Sequence, residues 1–238
     1  MTASDLPLMA ARTSVLAFAQ RLVRDRLVVG TSGNISCREG DLVAVTPSGT
    51  DYDTMLPEDV VVVDLEGTVV HGDLAPTVEL PLHLACYRRH GAQAVVHTHS
   101  TAATALSLLR DEVPPVHYQI AMFGGSVAVA PYATYGTDQL MENVSAALQG
   151  RTGAVMKHHG TITLGDTLGK AYDPRPPTGV ALRRVAAGQC RRTSRHAARG
   201  RDRAGRRGLR QLRAAASLTR AARHRDAPVP GADNAPSF

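Results

Sequence analysis

Two histidine clusters, His97-Thr98-His99 and His158-His159-Gly160, carry the chemistry that this chain displays most plainly. Neutral imidazole nitrogens are good ligands for a borderline-soft divalent cation such as zinc. Residues at i and i+2 share one face only in an extended strand. The preceding Ala94-Val95-Val96 is apolar and β-branched, as a buried strand should be. A third histidine from a second strand would complete three nitrogen ligands and leave a position open for substrate. Successive strand residues face opposite ways, so alternation leaves His158 and His159 both open as that ligand. Alone, the paired histidines are weak evidence, because such pairs are as often structural.

Other residue types sharpen the reading. Glu79 stands just before a helical stretch, where it could serve as a general base or as an oxygen ligand. The plain alternative is a solvated carboxylate at a helix start. His83 follows one helical turn later and is spaced to orient Glu79. Three loops, Thr31-Ser32-Gly33-Asn34, Thr46-Pro47-Ser48-Gly49 and Pro76-Thr77, are rich in hydroxyls and glycine. Such loops offer N–H and O–H donors to a phosphate without needing a lysine, although the same residues also make ordinary turns and caps. A metal beside a neutral phosphate cradle suggests a small phosphorylated substrate.

The elements that must position these groups follow from periodicity. Leu8, Ala11, Val15, Phe18, Leu22 and Val23 recur at near-helical spacing and predict a helix over 8–28. Strands are predicted at 35–38, 42–45, 60–64, 94–99, 126–130, 154–158 and 161–163. Helices are predicted at 81–90, 101–109 and 137–149, the last with Thr137 and Asp138 as caps. Strands alternating with helices, but including short hairpin-like pairs, indicate an α/β domain whose sheet is mixed or antiparallel. A further helix is announced at Gly165-Asp166-Thr167 and broken by Pro174, Pro176 and Pro177.

Charge divides the chain at the same place. The overall formal charge is +6. Residues 1–173 hold eleven Lys and Arg against eighteen Asp and Glu, whereas 174–238 hold sixteen Arg, no Lys and three Asp. In that last segment 42 of 65 residues are Arg, Ala, Pro or Gly, too little apolar surface to offset the entropy of ordering. The composition is that of GC-rich coding DNA read out of frame, which points to a frameshift near codon 173. The other reading is an arginine-rich tail for a polyanion. A tail selected for nucleic acid more often mixes Lys with Arg and interleaves aromatics. Here Phe238 is the only aromatic, so no specific nucleic-acid partner is expected. Cys37, Cys86 and Cys190 lack CxxC spacing and suit a reducing compartment. With no leader-like segment and no long apolar run, a cytoplasmic protein without a membrane span is expected.

The segments GTSGNIS (30–36), TPSG (46–49), PTVELPLH (76–83), VVHTHS (95–100), HYQIAMFGG (117–125), APYATYGT (130–137) and KHHGTIT (157–163) together resemble the class II aldolase/adducin family, in order and spacing. The resemblance covers about 10–173 and implies a three-layer α/β/α domain with a central, mainly antiparallel sheet. It implies one zinc per subunit held by His97, His99 and His159, with Glu79 completing the resting coordination and then acting as base. Tyr118 matches a tyrosine that serves the aldehyde oxygen across a subunit contact. Thr31, Asn34, Ser48, Gly49 and Thr77 fall on substrate and phosphate-loop positions. A homotetramer with active sites at subunit contacts is implied as well.

The implied reaction cleaves a ketose phosphate, L-fuculose-1-phosphate-like, to dihydroxyacetone phosphate and an aldehyde through a metal-stabilised enediolate. Glu rather than Asp at position 79 favours an aldolase over a 4-epimerase of the same family. Val78 departs from the family by removing a hydroxyl from the phosphate cradle. A dehydratase and a non-catalytic adducin-like or polyanion-binding role are the other expectations.

Overall fold

The computed structural model of the chain describes residues 7–113 and 125–172. Tyr118 and the arginine-rich segment 174–238, with the domain boundary expected there, lie outside the described residues. The chain opens with α1 (Met9–Arg24), then β1 (Asn34–Glu39), β2 (Leu42–Val45), β3 (Val61–Asp64) and β4 (Val69–His71). Next come α2 (Leu80–His90), β5 (Ala94–Thr98), α3 (Thr101–Ser107), β6 (Glu112–Val113) and β7 (Val127–Ala130). The last described elements are α4 (Asp138–Ala147), β8 (Gly153–Met156), β9 (Gly160–Gly165) and α5 (Leu168–Tyr172).

The strands line up in the order β4-β3-β2-β1-β5-β9-β8-β7-β6. Among the described residues only β7 and β8 run parallel; every other neighbouring pair is antiparallel, as the sequence leads one to expect. Short turns explain this for the hairpin pairs β1/β2, β3/β4 and β8/β9, since so short a connection can only reverse the chain. Between Glu39 and Leu42 the turn uses Gly40 at φ 61°, a left-handed conformation that glycine adopts without strain.

Alternation then sorts side chains into three layers. Val95 faces α2 and α4, in a core shared with Val43, Val61 and Ile162. Its neighbours Ala94 and Val96 face α1 and α5, with Ile35 and Ala44. A smaller cluster under α3 joins Leu106, Val113, Val127 and Val155. Residues such as Val15, Leu22, Val96 and Ile162 are fully buried, each contributing about 1.5–3 kcal/mol of burial free energy. Arg12 is fully buried too, its guanidinium donating to the carbonyl oxygens of Val60 and Glu58 and tying α1 to the sheet. Among the described residues no helix is long and apolar enough to cross a membrane.

Several boundaries differ from expectation for local reasons. The helix predicted over 8–28 stops at Arg24, because Arg26 turns left-handed at φ 55° and the Leu27 N–H returns to the Leu22 carbonyl. Leu27 and Val28 are therefore buried as loop residues. The helix from Thr101 ends at Ser107, short of 109. Strands β4 and β6 are too short to show alternation and were not foreseen. The strand predicted over 94–99 ends at Thr98, and that over 154–158 ends at Met156. On α4 the Thr137 hydroxyl does accept from the Leu140 N–H, as an N-cap should.

Candidate active site

Glu79, His97, His99 and His159 come together where the central strand β5 ends and β9 begins, one ligand atom from each lying within 4.8 Å of all the others. The elements reach this point differently. His97 is the penultimate residue of β5, pairs with Asn34 on β1 and faces the α2 layer with Val95. His99 lies just beyond the strand, where its backbone N–H donates to the Leu27 carbonyl. His158 and His159 occupy the turn between β8 and β9 rather than a strand, which corrects the strand alternation expected for them. His158 takes φ 61°, and the His159 N–H bonds back to Met156. That left-handed turn sends the His159 ring to the cluster and leaves His158 exposed beside Tyr132.

Close approach of backbones makes this possible. A Cβ at Gly160 would overlap the Thr98 carbonyl oxygen, so β9 can start against the end of β5 only with glycine there. Gly33, at φ 76°, lies so close to Val28 and the His97 carbonyl that a side chain would not fit. The Tyr52 hydroxyl donates to the Gly33 carbonyl at 2.7 Å and holds the loop from below.

Glu79 is the N-cap residue of α2, yet its side chain does not cap the helix. Instead Oε2 accepts from the Asn34 amide at 2.8 Å and lies 3.0 Å from His97 Nε2. Oε1 is buried 3.4 Å from His159 Nε2 and has no hydrogen-bond partner among the described residues. The His97 Nδ1–H donates to the Thr161 carbonyl at 2.9 Å. This fixes the tautomer and aims Nε2 at the cluster. The three imidazoles stand edge to face, with centroids 4.7, 4.8 and 4.9 Å apart.

Electrostatics follow from the crowding. Burial opposes the charge on Glu79, but His97, Asn34 and His159 outweigh it and hold the carboxyl well below the usual range. Burial likewise opposes a proton on His97, whereas Glu79 and the Thr161 carbonyl draw its pKa up overall. Burial and the neighbouring His97 push His99 and His159 down to about 4. A carboxylate, two imidazoles that stay neutral at pH 7, and a His97 Nε2 only 2.8 Å from His99 Nε2 all converge on one point. Two such nitrogens repel when both are bare, and either a shared proton or a metal cation beside them relieves this. The donor set and the unpartnered Oε1 therefore fit a divalent metal.

Above the cluster opens a cavity of about 400 Å³. Of the residues expected from the sequence, Thr31, Asn34, Ser48, Gly49, Thr77, Glu79, His99 and His159 line it. Thr31, Ser48 and Gly49 are exposed at its mouth. Thr77 is buried, its hydroxyl accepting from the Glu79 N–H. Asn34 has its amide engaged with Glu79 and His83, so it stands between the cavity and α2. The opposite wall is formed by Tyr132 and Tyr135, to which the sequence assigns no role, and by His158, which alternation leaves open as a metal ligand and which the structure places outside the cluster. The only signal for the two tyrosines was their place in the segment APYATYGT.

Comparison with known proteins matches these features. The model of the class II aldolase and adducin N-terminal domain matches residues 13–174. A 5-deoxy-D-ribulose 1-phosphate aldolase of Bacillus thuringiensis serovar kurstaki is 39% identical over 164 residues, spanning 68% of this chain and 77% of that protein. An L-fuculose phosphate aldolase of Escherichia coli K12 is 42% identical over 144 residues, 60% of this chain and 66% of its own length. A solved L-fuculose 1-phosphate aldolase superposes with a TM-score of 0.70 at 33% identity, covering 79% of this chain and 87% of that one. From its fold, its clustered histidines and these similarities, the chain belongs to the class II aldolase and adducin N-terminal domain family.

Proposed function

We propose that the chain is a zinc-dependent aldolase cleaving a ketose 1-phosphate, of the L-fuculose or 5-deoxyribulose kind, to dihydroxyacetone phosphate and an aldehyde. The observation that carries this reading is the convergence of Glu79, His97, His99 and His159 beneath a cavity ringed by hydroxyl and glycine loops. Related proteins of that name support the reaction class. His97, His99 and His159 would hold the metal through nitrogen, with Glu79 as an oxygen ligand at rest, and three nitrogens favour zinc over magnesium or calcium. When bound, the metal acts as a Lewis acid toward the negative charge that develops on the substrate's adjacent oxygens.

The chain's own groups supply the rest. Cleavage breaks the bond between C3 and C4; the C4 hydroxyl loses its proton as the aldehyde forms, and a proton returns to C3. Glu79 moves the C3 proton, and Oε1 suits that task because Oε2 is held by Asn34 while Oε1 has no hydrogen-bond partner among the described residues. Tyr118 serves the C4 oxygen, in a homotetramer, from a neighbouring subunit. The hydroxyls of Thr31, Ser48 and Thr77, with the backbone N–H of Gly49 and the side chain of Asn34, receive the phosphate. The exposed Val78 at the rim leaves the cradle one hydroxyl short. The enzyme works in the cytoplasm.

The test is metal analysis of the purified chain together with a coupled assay for dihydroxyacetone phosphate on both ketose phosphates. About one zinc per chain is expected, removed by chelator with loss of turnover and regained on adding zinc. His97→Ala and His99→Ala lose the metal, and Glu79→Gln lowers kcat by about 10²–10⁴. Absence of a stoichiometric divalent metal, or metal retained unchanged in both histidine variants, refutes the proposal.

A further inference from the structure

Behind Glu79 a line of buried polar groups runs away from the cavity into the layer between β1 and α2. Asn34 and Ser36 are two residues apart on β1 and share its α2 face, bonding Glu79 and His83. Glu79, His83 and Tyr87 are four apart along α2 and share the stripe that meets it. The two rows interdigitate. Asn34 Nδ2 donates to Glu79 Oε2 at 2.8 Å, and Asn34 Oδ1 meets His83 Nε2 at 2.6 Å. His83 Nδ1 meets the Ser36 hydroxyl at 2.6 Å, and that hydroxyl also bonds the Tyr87 hydroxyl. His83 and Ser36 are wholly buried, Tyr87 is 1% exposed, and Asn34 and Glu79 are 5% and 6% exposed.

Chemistry fixes the direction of every bond in this line. An ionised Glu79 can only accept, so Asn34 must present its NH₂ there and its carbonyl oxygen to His83. His83 Nε2 must then carry the proton, which leaves Nδ1 bare to accept from Ser36. Ser36, having spent its hydrogen, accepts from Tyr87. The chain reads Tyr87 to Ser36 to His83 to Asn34 to Glu79, each donor facing one acceptor. Reversing one bond would leave a member facing two donors or two acceptors, and reversing the whole line would turn the Asn34 carbonyl oxygen against the Glu79 carboxylate.

We infer that Ser36, His83 and Tyr87 are positioning residues: through Asn34 they lock Glu79 Oε2 in place and leave Oε1 as the oxygen available to a metal or a proton. Residues that orient a metal's ligands through hydrogen bonds commonly change affinity or activity by about 10–100-fold when removed. The inference rests on the aldolase reading for its turnover arm, and its metal arm is independent of that reading.

The experiment uses the full chain loaded with Co²⁺, whose visible absorption reports the arrangement of its ligands, alongside aldolase kinetics on L-fuculose 1-phosphate and 5-deoxyribulose 1-phosphate. Ser36→Ala removes the donor that holds the His83 tautomer, and Tyr87→Phe removes only a hydroxyl and keeps the packing. Val15→Ala, in the α1 core, is a control for loss of stability alone. Expected are a shifted Co²⁺ spectrum in both variants, with Co²⁺ affinity and kcat lowered about tenfold in Ser36→Ala and less in Tyr87→Phe, at unchanged KM. Ser36→Thr, which keeps the hydroxyl, restores the spectrum. A shifted spectrum in a chain that cleaves neither sugar phosphate supports the positioning role while removing the aldolase reading. Folded variants with the native spectrum and native kcat overturn the inference, as does a loss that Val15→Ala reproduces at equal thermal stability.

Discussion

Replacing Gly160 by alanine tests whether the meeting of β5 and β9 is what assembles the histidine cluster. A Cβ at this position would overlap the Thr98 carbonyl oxygen, with its carbonyl carbon at 3.0 Å and the His99 Cα at 3.3 Å. All three are backbone atoms, so no flexible side chain can step aside, and the strand end carrying His97 and His99 must move. Overpacking of this kind costs about 1–3 kcal/mol, and the upper end applies to a clash with backbone. Against it stands a gain of about 0.4–1 kcal/mol from the stiffer unfolded chain. The net loss is about 2 kcal/mol, which in a domain of this size lowers Tm by about 4–8 °C. Gly169, inside α5, meets nothing closer than the Thr167 hydroxyl at 3.9 Å. There alanine should be neutral or stabilising by up to about 1 kcal/mol. Thermal unfolding of both variants, followed by zinc titration, compares them directly. Gly160→Ala should also bind zinc at least tenfold more weakly, because His99 and His159 flank the displaced segment. A Gly160→Ala chain with the native Tm and native zinc affinity would refute the steric reasoning.

Stability should also fall on the alkaline side. Burial pushes Tyr52 up to about 12 and holds Tyr87 well above its ordinary value, and burial with Asp25 raises Tyr172. The folded state keeps these protons longer than the unfolded chain, whose tyrosines titrate near 10. The stabilisation is therefore complete below about pH 10 and is lost as pH rises through the folded values, which urea unfolding between pH 8 and 11.5 should register. Thiol chemistry should separate two cysteines: burial pushes Cys86 up to about 12, while half-buried Cys37 is raised by burial and Glu39. Iodoacetamide at pH 8 should modify Cys37 slowly and Cys86 only after unfolding, as read by peptide mass mapping; equal rates would contradict the burial. Finally, the sixteen arginines of 174–238 should confer salt-dependent retention on immobilised DNA. A chain ending at residue 173 should lose it, and retention unchanged by that deletion would show that the acidic part binds instead.

The fold was largely legible because alternation and turn chemistry are local. Residues 42–45 and 94–99 read as strands from β-branched runs, the second ending one residue sooner in the fold, and Thr137 reads as a cap from its place before the periodic stretch. What failed did so where geometry is set from outside the segment. Arg26 ends α1 four residues early through a left-handed turn that no apolar spacing signals. His99 was grouped with His97 as a strand neighbour, yet it lies past the strand, held by the Leu27 carbonyl from a loop 72 positions earlier. His158 and His159 could not be told apart by alternation because they belong to no strand; the positive φ of His158 decides which ring turns inward.

By itself the sequence determined the inventory: three histidines and a glutamate of metal-binding type, hydroxyl and glycine loops, the helix and strand periods, and the change of composition after residue 173. These are properties of residue type and spacing, which survive in an unfolded chain. Only the tertiary structure decided that Glu79 forgoes capping its helix and turns into the cluster, with one oxygen tied to Asn34 and the other without a partner among the described residues. It likewise decided that a strand row and a helix row interdigitate into one directed line of hydrogen bonds ending at that carboxylate. Periods of two and four can each be read along the chain, but their meeting depends on how β1 and α2 pack, and packing is a property of the whole fold.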